Sequence, residues 1–220
     1  MSVDATLEQD LKWREAELAS LKRLAINATA EPVAYRGLLR AMWSLLYAHF
    51  EGFTKFCWDT VLDEVQSADL PLSALHPRFA LLALEPDFKS HRANLDPTSI
   101  WLFFEATLPT ALSRAAAFAD DARLKTESNL WPNIFERESQ RIGIQCGELQ
   151  KYRPRIKTLV ARRNDIAHGK NMVIADLKEY HEYEHATMCL MHELAIKSIE
   201  LIKSESYRKE SHAATMSRGI

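Results

Sequence analysis

The sequence predicts an all-α bundle with a long central helix and one irregular crossover. Three observations carry that expectation. Apolar residues recur at three- and four-residue spacing over most of the chain. Only six Gly and eight Pro interrupt 220 residues, and β-branched runs are scarce. A chain of this length buries one well-packed core, so one domain over residues 1–204 is expected, with a polar, frayed tail over 205–220.

Leu7, Leu11, Leu18 and Leu21 set a first helix from about Ala5 to Ile26. Glu31-Pro32 opens a second helix running to about Gln66, because Pro is tolerated in a first turn. Its apolar residues (Leu38, Met42, Leu45, Leu46, Phe50, Phe53, Phe56, Cys57, Val61) form a stripe too broad for a surface helix, so it is the central one. Gly52 in its middle marks a close approach by another helix. The stretch Ser67–Pro97 holds four of the eight prolines and reads as a loop-like crossover with a short helix near Arg78–Leu84. Asp96-Pro97-Thr98-Ser99 is a helix start, followed by an apolar helix to about Arg123. A shorter helix covers Trp131–Ile142. Pro154 suits an early position in a helix that ends at His168, where Gly169 supplies the stop. The last helix, about Ile174 to Lys203, carries Leu177, Tyr180, Thr187, Met191, Leu194 and Leu201 on one face.

Composition excludes several classes. An apolar content of 47% with 26% charged residues describes a globular protein rather than a disordered one. The apolar stretches near Ala41–Phe50 and Ile100–Phe104 are too short or interrupted to span a bilayer, and the acidic start offers no secretory signal. Cys57, Cys146 and Cys189 are odd in number and widely spaced, as expected of free thiols in a reducing cytoplasm. The net charge of −2 hides a local patch: Lys151, Arg153, Arg155, Lys157, Arg162 and Arg163 fall in one run without an acid, and Lys170 follows. Such a run is either a solvated helix face or a track for a phosphate backbone.

That run leads into Arg163-Asn164-Asp165-Ile166-Ala167-His168-Gly169. Histidine exchanges protons near neutrality, and arginine is a permanent cation whose fork fits phosphate oxygens. Together they suffice, without a metal or other cofactor, to break a phosphodiester bond whose nucleophile is RNA's own 2′-hydroxyl. The spacing R-x-x-x-x-H alone is weak, since chance supplies roughly half a match in such a chain. The same pair also suits a helix C-terminus stabilised by cations. Residues five apart point roughly 140° from each other on a helix, so Arg163 and His168 do not converge within one subunit. Two copies across a two-fold axis would bring both pairs into one cleft. Glu51, a carboxylate on the apolar central helix, needs a partner; Arg163 or His168 would serve a site, and a structural ion pair is the alternative.

The segment Ala161–Gly169, late in an all-α chain and followed by one long helix, resembles the HEPN superfamily of helical ribonuclease domains. Leu45-Leu46-Tyr47-Ala48-His49-Phe50-Glu51-Gly52-Phe53-Thr54-Lys55 on the early helix resembles its stand-alone prokaryotic branch, the MAE-like proteins. The resemblance extends from Pro32 to Lys203. It implies a HEPN-like bundle, metal-independent endoribonuclease activity and a homodimer. It also implies work as a toxin or antiviral defence effector, with a cognate antitoxin or defence-system component as a further partner. A non-catalytic RNA-binding or regulatory module of the same fold is the rival. On these residues His168 is the general acid/base, Arg163 the phosphate clamp and Asn164 its orienting partner. Arg162 and Lys170 are backbone-phosphate contacts beside Lys151, Arg153, Arg155 and Lys157.

His181-Glu182-Tyr183-Glu184-His185 also matches H-E-x-x-H, the zinc-hydrolase pattern, and His192 lies on the same face. Position 188 is Met, so the glycine of the extended motif is absent, and no sheet edge is foreseen to align a peptide. These histidines lie away from the apolar face, so a wet helix face is the preferred reading and no metal site is expected.

Overall fold

The structure is a computed structural model that describes residues 2–93, 95–120 and 122–209. Its helices are α1 (Val3–Asn27), α2 (Pro32–Ser67), α3 (Pro77–His91), α4 (Pro97–Leu102), α5 (Leu108–Ser113), α6 (Pro132–Arg141), α7 (Gly147–Ala167) and α8 (Leu177–Lys203). A 3-10 turn at Leu72–Ala74 precedes α3, and a π turn at Phe103–Thr107 joins α4 to α5. Among the described residues there is no strand, only the isolated bridges Pro71 to Ala115 and Leu75 to Arg208. No helix there is long and apolar enough to cross a membrane.

The long helix α2 is the axis. Its buried residues, from Leu39 to Val65, cover roughly 220° of its circumference at 100° per residue. One partner cannot cover such an arc, and α8, α1 and α7 all pack against it. The N-terminal half of α2 (Leu39, Met42, Trp43, Leu46, Tyr47) shares a core with Leu18 and Ala25 of α1, Leu159 and Val160 of α7, and Tyr180 of α8. The C-terminal half, from Phe50 to Val65, packs with α3, α6 and the rest of α8. Both buried indoles of α2 find acceptors: Trp43 Nε1 donates to the Leu159 carbonyl at 3.1 Å, and Trp58 Nε1 to Ser139 Oγ at 3.1 Å.

What approaches Gly52 is a side chain, not a helix backbone. A Cβ there would meet Arg14 Nη1 at 3.2 Å. Arg14 of α1 is buried, pairs with Asp10 at 2.6 Å, and points Nη1 at Nδ1 of buried His49 at 3.3 Å. His49 Nε2 lies 3.0 Å from Glu17 Oε2, close enough for attraction but short of hydrogen-bond alignment.

Four expected boundaries move, three of them for a tertiary reason. The helix expected to begin near Pro154 starts at Gly147, so Pro154 lies inside α7. Glu193 of α8 accepts the Gly147 and Glu148 amide protons, both at 2.8 Å, and caps a start that has no capping side chain of its own. The short helix expected near Arg78–Leu84 runs from Pro77 to His91, with Pro86 inside it. The apolar helix expected to reach Arg123 widens into the π turn ahead of Pro109, which has no amide proton, and ends at Ser113. There the chain turns extended to pair with residues 70–72, through Leu72 N to Arg114 O and Ala116 N to Leu70 O, both at 3.0 Å. The tail expected to fray from 205 is pinned at its start. Tyr207 is buried, and its carbonyl accepts the His76 amide proton at 2.7 Å. Residues 210–220 lie outside the described residues.

His49 makes stability pH-dependent. Burial, then the Arg14 cation, lowers its pKa below the usual 6.5, while Glu17 and Asp10 oppose the shift. The unfolded chain therefore binds the proton more readily. Its contribution is fully present above pH 6.5 and is lost as pH falls toward the lower folded-state value. Denaturant midpoints measured from pH 7.5 to 5 should decline, and His49→Gln should show a shallower decline. Equal slopes in the two proteins would exclude His49 as the cause.

Candidate active site around Arg163

The end of α7 is built by its own sequence. Gly169 adopts φ +74°, its amide donates to the Ile166 carbonyl at 3.0 Å, and the Lys170 amide donates to the Asp165 carbonyl at 2.9 Å. These two bonds form a Schellman cap, which needs a residue that enters left-handed space without a Cβ penalty. Arg40 of α2 donates to the Lys170 carbonyl at 3.0 Å and holds the turn against the bundle. His168 is the capping residue, and its side chain is exposed with no partner among the described residues.

One turn earlier, Arg163 points elsewhere. Its guanidinium carbon lies 4.4 Å from the centroid of the Tyr47 ring. Its Nη1 donates to Asn129 Oδ1 at 2.9 Å and to Asn164 Oδ1 at 3.1 Å. Tyr47 is fully buried, and its hydroxyl accepts the Leu130 amide proton at 2.8 Å. Burial pushes the phenol up to about 12. The Leu130 amide opposes that rise, Glu51 adds to it through its charge and a hydrogen bond from the hydroxyl, and the Arg163 cation opposes it. At neutral pH Tyr47 is therefore protonated. Glu51 forms no ion pair among the described residues, so it meets neither Arg163 nor His168 directly, and its charge acts on the Tyr47 hydroxyl. Cation–ring contacts of this kind contribute on the order of 1 kcal/mol.

The basic run is matched by acids, two distant in sequence and two close by. Arg153 pairs with Glu136 of α6 at 2.7 Å, Arg155 with Glu182 of α8 at 3.5 Å, and Lys151 with Glu148 at 3.4 Å. Lys170 pairs with Asp165 at 2.7 Å. Arg162 is engaged inside the protein: it pairs with Glu179 and lies against the Trp43–Tyr183 ring pair, 5.1 and 5.7 Å from their centroids. Lys157 is exposed and in no described ion pair.

The H-E-x-x-H histidines serve separate partners. His181 Nδ1 lies 3.1 Å from Glu184, whose carboxylate also takes Lys22 at 2.8 Å. His185 Nε2 meets the Tyr152 hydroxyl at 3.2 Å, and His192 pairs with Glu15 at 2.8 Å. Glu182, the would-be base, faces Arg155. Among the described residues no group of three or more His, Cys, Asp or Glu could hold a metal ion. The thiols are free; Cys57 and Cys146 are buried, with burial pushing Cys146 up to about 12.

Sequence reasoning missed Asn129 and Tyr47 as parts of this arrangement. Tyr47 stands four residues before Glu51, one helical turn along the same stripe, and that spacing was the available signal. Asn129 lies in an irregular segment 34 residues from Arg163, and nothing local marks it.

The cap at Gly169 is separately testable. Gly169→Ala forces a Cβ into left-handed space at a cost of about 1 kcal/mol, a fall in Tm of roughly 2–4 °C for this size. Amide exchange at His168–Lys170 should quicken while the α2 core stays protected. An unchanged Tm would mean the turn is not what holds the end of α7.

No curated protein and no solved structure matches the chain. A family model described as HEPN_MAE_28990-like HEPN matches residues 3–207, from the first turn of α1 to the buried Tyr207 beyond α8. The chain therefore belongs to the HEPN superfamily, in its HEPN_MAE_28990-like family, whose domains are generally associated with ribonuclease activity.

Proposed function

We propose that this protein is a metal-independent endoribonuclease, working as a homodimer with a composite active site as a toxin or antiviral defence effector in the cytoplasm. The observation that carries this reading is the contrast between Arg163 and His168. Arg163 is held half-buried by neutral oxygens and a ring, and His168 is exposed on a rigid cap. An oriented cation and an accessible imidazole, brought together across the two-fold axis, suit a reaction in which charge builds on a phosphate while protons move.

The chemistry balances with the groups present. One His168 imidazole takes the 2′-hydroxyl proton, and the 2′-oxygen attacks phosphorus. The bond from phosphorus to the 5′-oxygen breaks, and the departing oxygen takes a proton from the partner subunit's His168. Arg163 carries the charge on the crowded phosphate, and Asn164 holds Arg163. The products are a 2′,3′-cyclic phosphate and a free 5′-hydroxyl. Glu51 acts through Tyr47.

Lys151, Arg153, Arg155 and Lys157 track the flanking phosphates, Lys170 joins them by leaving the partly exposed Asp165, and Arg162 reaches a phosphate only by leaving Glu179. Phosphates displace Glu148, Glu136 and Glu182 at little cost, since partly exposed ion pairs contribute only about 0–1 kcal/mol. Binding should weaken with salt, and removing two of these cations should flatten the log–log slope by about 1.4 on single-stranded RNA. An unaltered slope would remove this surface from the interface.

Purified protein should cleave single-stranded RNA in excess EDTA. His168→Ala should stay helical and dimeric, since truncation at an exposed cap costs at most about 1 kcal/mol, and should lose nearly all cleavage and any toxicity on expression. Arg163→Ala should also be inactive. Mixed with His168→Ala, it forms heterodimers that keep one arginine and one of the two histidines; with water in place of the missing proton-transfer group, these should recover a small fraction of wild-type activity, above that of either inactive homodimer. Full activity in His168→Ala would end the ribonuclease assignment in favour of a binding module. Strict dependence on zinc or magnesium would end the metal-free mechanism.

A further inference from the structure

All four arginines of α7 are held, but they are not held alike. Arg153, Arg155 and Arg162 each face a glutamate, which cancels their charge locally. Arg163 is held by the amide oxygens of Asn129 and Asn164, which accept hydrogen bonds and carry no net charge. No carboxylate pairs with its guanidinium among the described residues, and the Tyr47 hydroxyl beside it is occupied by the Leu130 amide. Arg163 is thus oriented without being neutralised. Its Nη1 is taken by two acceptors and one face by the Tyr47 ring. Its Nε and Nη2 protons have no partner among the described residues. That free edge is the side of the planar fork that binds two oxygens of one phosphate in parallel.

We propose that Tyr47 and Asn129 are positioning residues that aim the Nε–Nη2 edge of Arg163 at the scissile phosphate of a single-stranded RNA. This proposal rests on the ribonuclease reading above. Tyr47 acts twice. Its ring seats the guanidinium, and its hydroxyl holds the Leu130 amide, which fixes the neighbouring Asn129 where it can take Nη1. A guanidinium freed from these restraints keeps its charge but loses its aim. A misplacement of about 1 Å at a reacting phosphate costs on the order of 100-fold in rate.

The test uses the full chain and the variants Tyr47→Phe, Tyr47→Leu, Asn129→Ala, Arg163→Ala and His168→Ala. Two readouts are taken: kcat and KM on a labelled single-stranded RNA, and the Arg163 Nε–H resonance of the unliganded ¹⁵N-labelled protein, assigned by its loss in Arg163→Ala. Asn129→Ala should lower kcat roughly 10- to 100-fold with KM changed less than about threefold. Tyr47→Phe keeps the ring, so it should retain the ring-shifted Nε–H and lose less activity than Tyr47→Leu, which should lose that shift. Asn129 sits on a half-buried loop, so its variant decides the matter if Tyr47→Leu does not fold. An inactive wild type overturns the ribonuclease reading. Wild-type kcat in folded Asn129→Ala, with Arg163→Ala inactive, overturns the positioning proposal alone.

Discussion

The rest of the structure depends on one constraint, that α2 is apolar around more than half its circumference and must be surrounded. Covering an arc of roughly 220° takes three helices, so α1, α7 and α8 are all drawn against α2 by burial. That packing sets more than stability. Trp43 donates to the Leu159 carbonyl of α7 and so fixes how α7 slides along α2. Three and four residues beyond Leu159, Arg162 and Arg163 then land on Trp43 and Tyr47, themselves one turn apart. The two consecutive arginines diverge from there, one to Glu179 on α8 and the other to Asn129 in the loop before α6.

Electrostatics follows the same geometry. A run of cations on one helix would repel itself and bind anions indiscriminately. The bundle sets Glu136 of α6 and Glu182 and Glu179 of α8 opposite it, so most of that charge is matched locally. Against this background a cation held by neutral partners differs from its neighbours. The buried Arg14 is likewise held by a set of partners: it takes Asp10 and His49 in the notch left by Gly52, where a larger residue would crowd the guanidinium.

Rigidity is distributed to match. The left-handed Gly169 and the two amide bonds around it close the end of α7, and Arg40 pins the following turn, so an exposed His168 stands on a fixed base. At the other end, Glu193 closes the start of α7. Both ends of the helix that carries Arg163 are therefore capped, one by its own backbone and one by α8.

By itself the sequence determined what local periodicity and punctuation can encode. It set the all-α class, the central place of α2, the extents of α1, α2, α6 and α8 to within a few residues, and the stop at Gly169. These depend on neighbours three or four residues apart, which the chain writes directly. Only the tertiary structure decided where α7 begins, because its cap is Glu193, 46 residues from Gly147. It alone ended the apolar helix at Ser113, through pairing with residues 70–72, and held Tyr207 in the core. It alone gave Arg153, Arg155 and Arg162 their glutamates, and gave Arg163 its seat on Tyr47 and its bond to Asn129, 116 and 34 residues away. The physical reason is common to all of these. A charge or a donor is visible in a sequence, but whether it is matched depends on which distant group packing brings within about 3 Å.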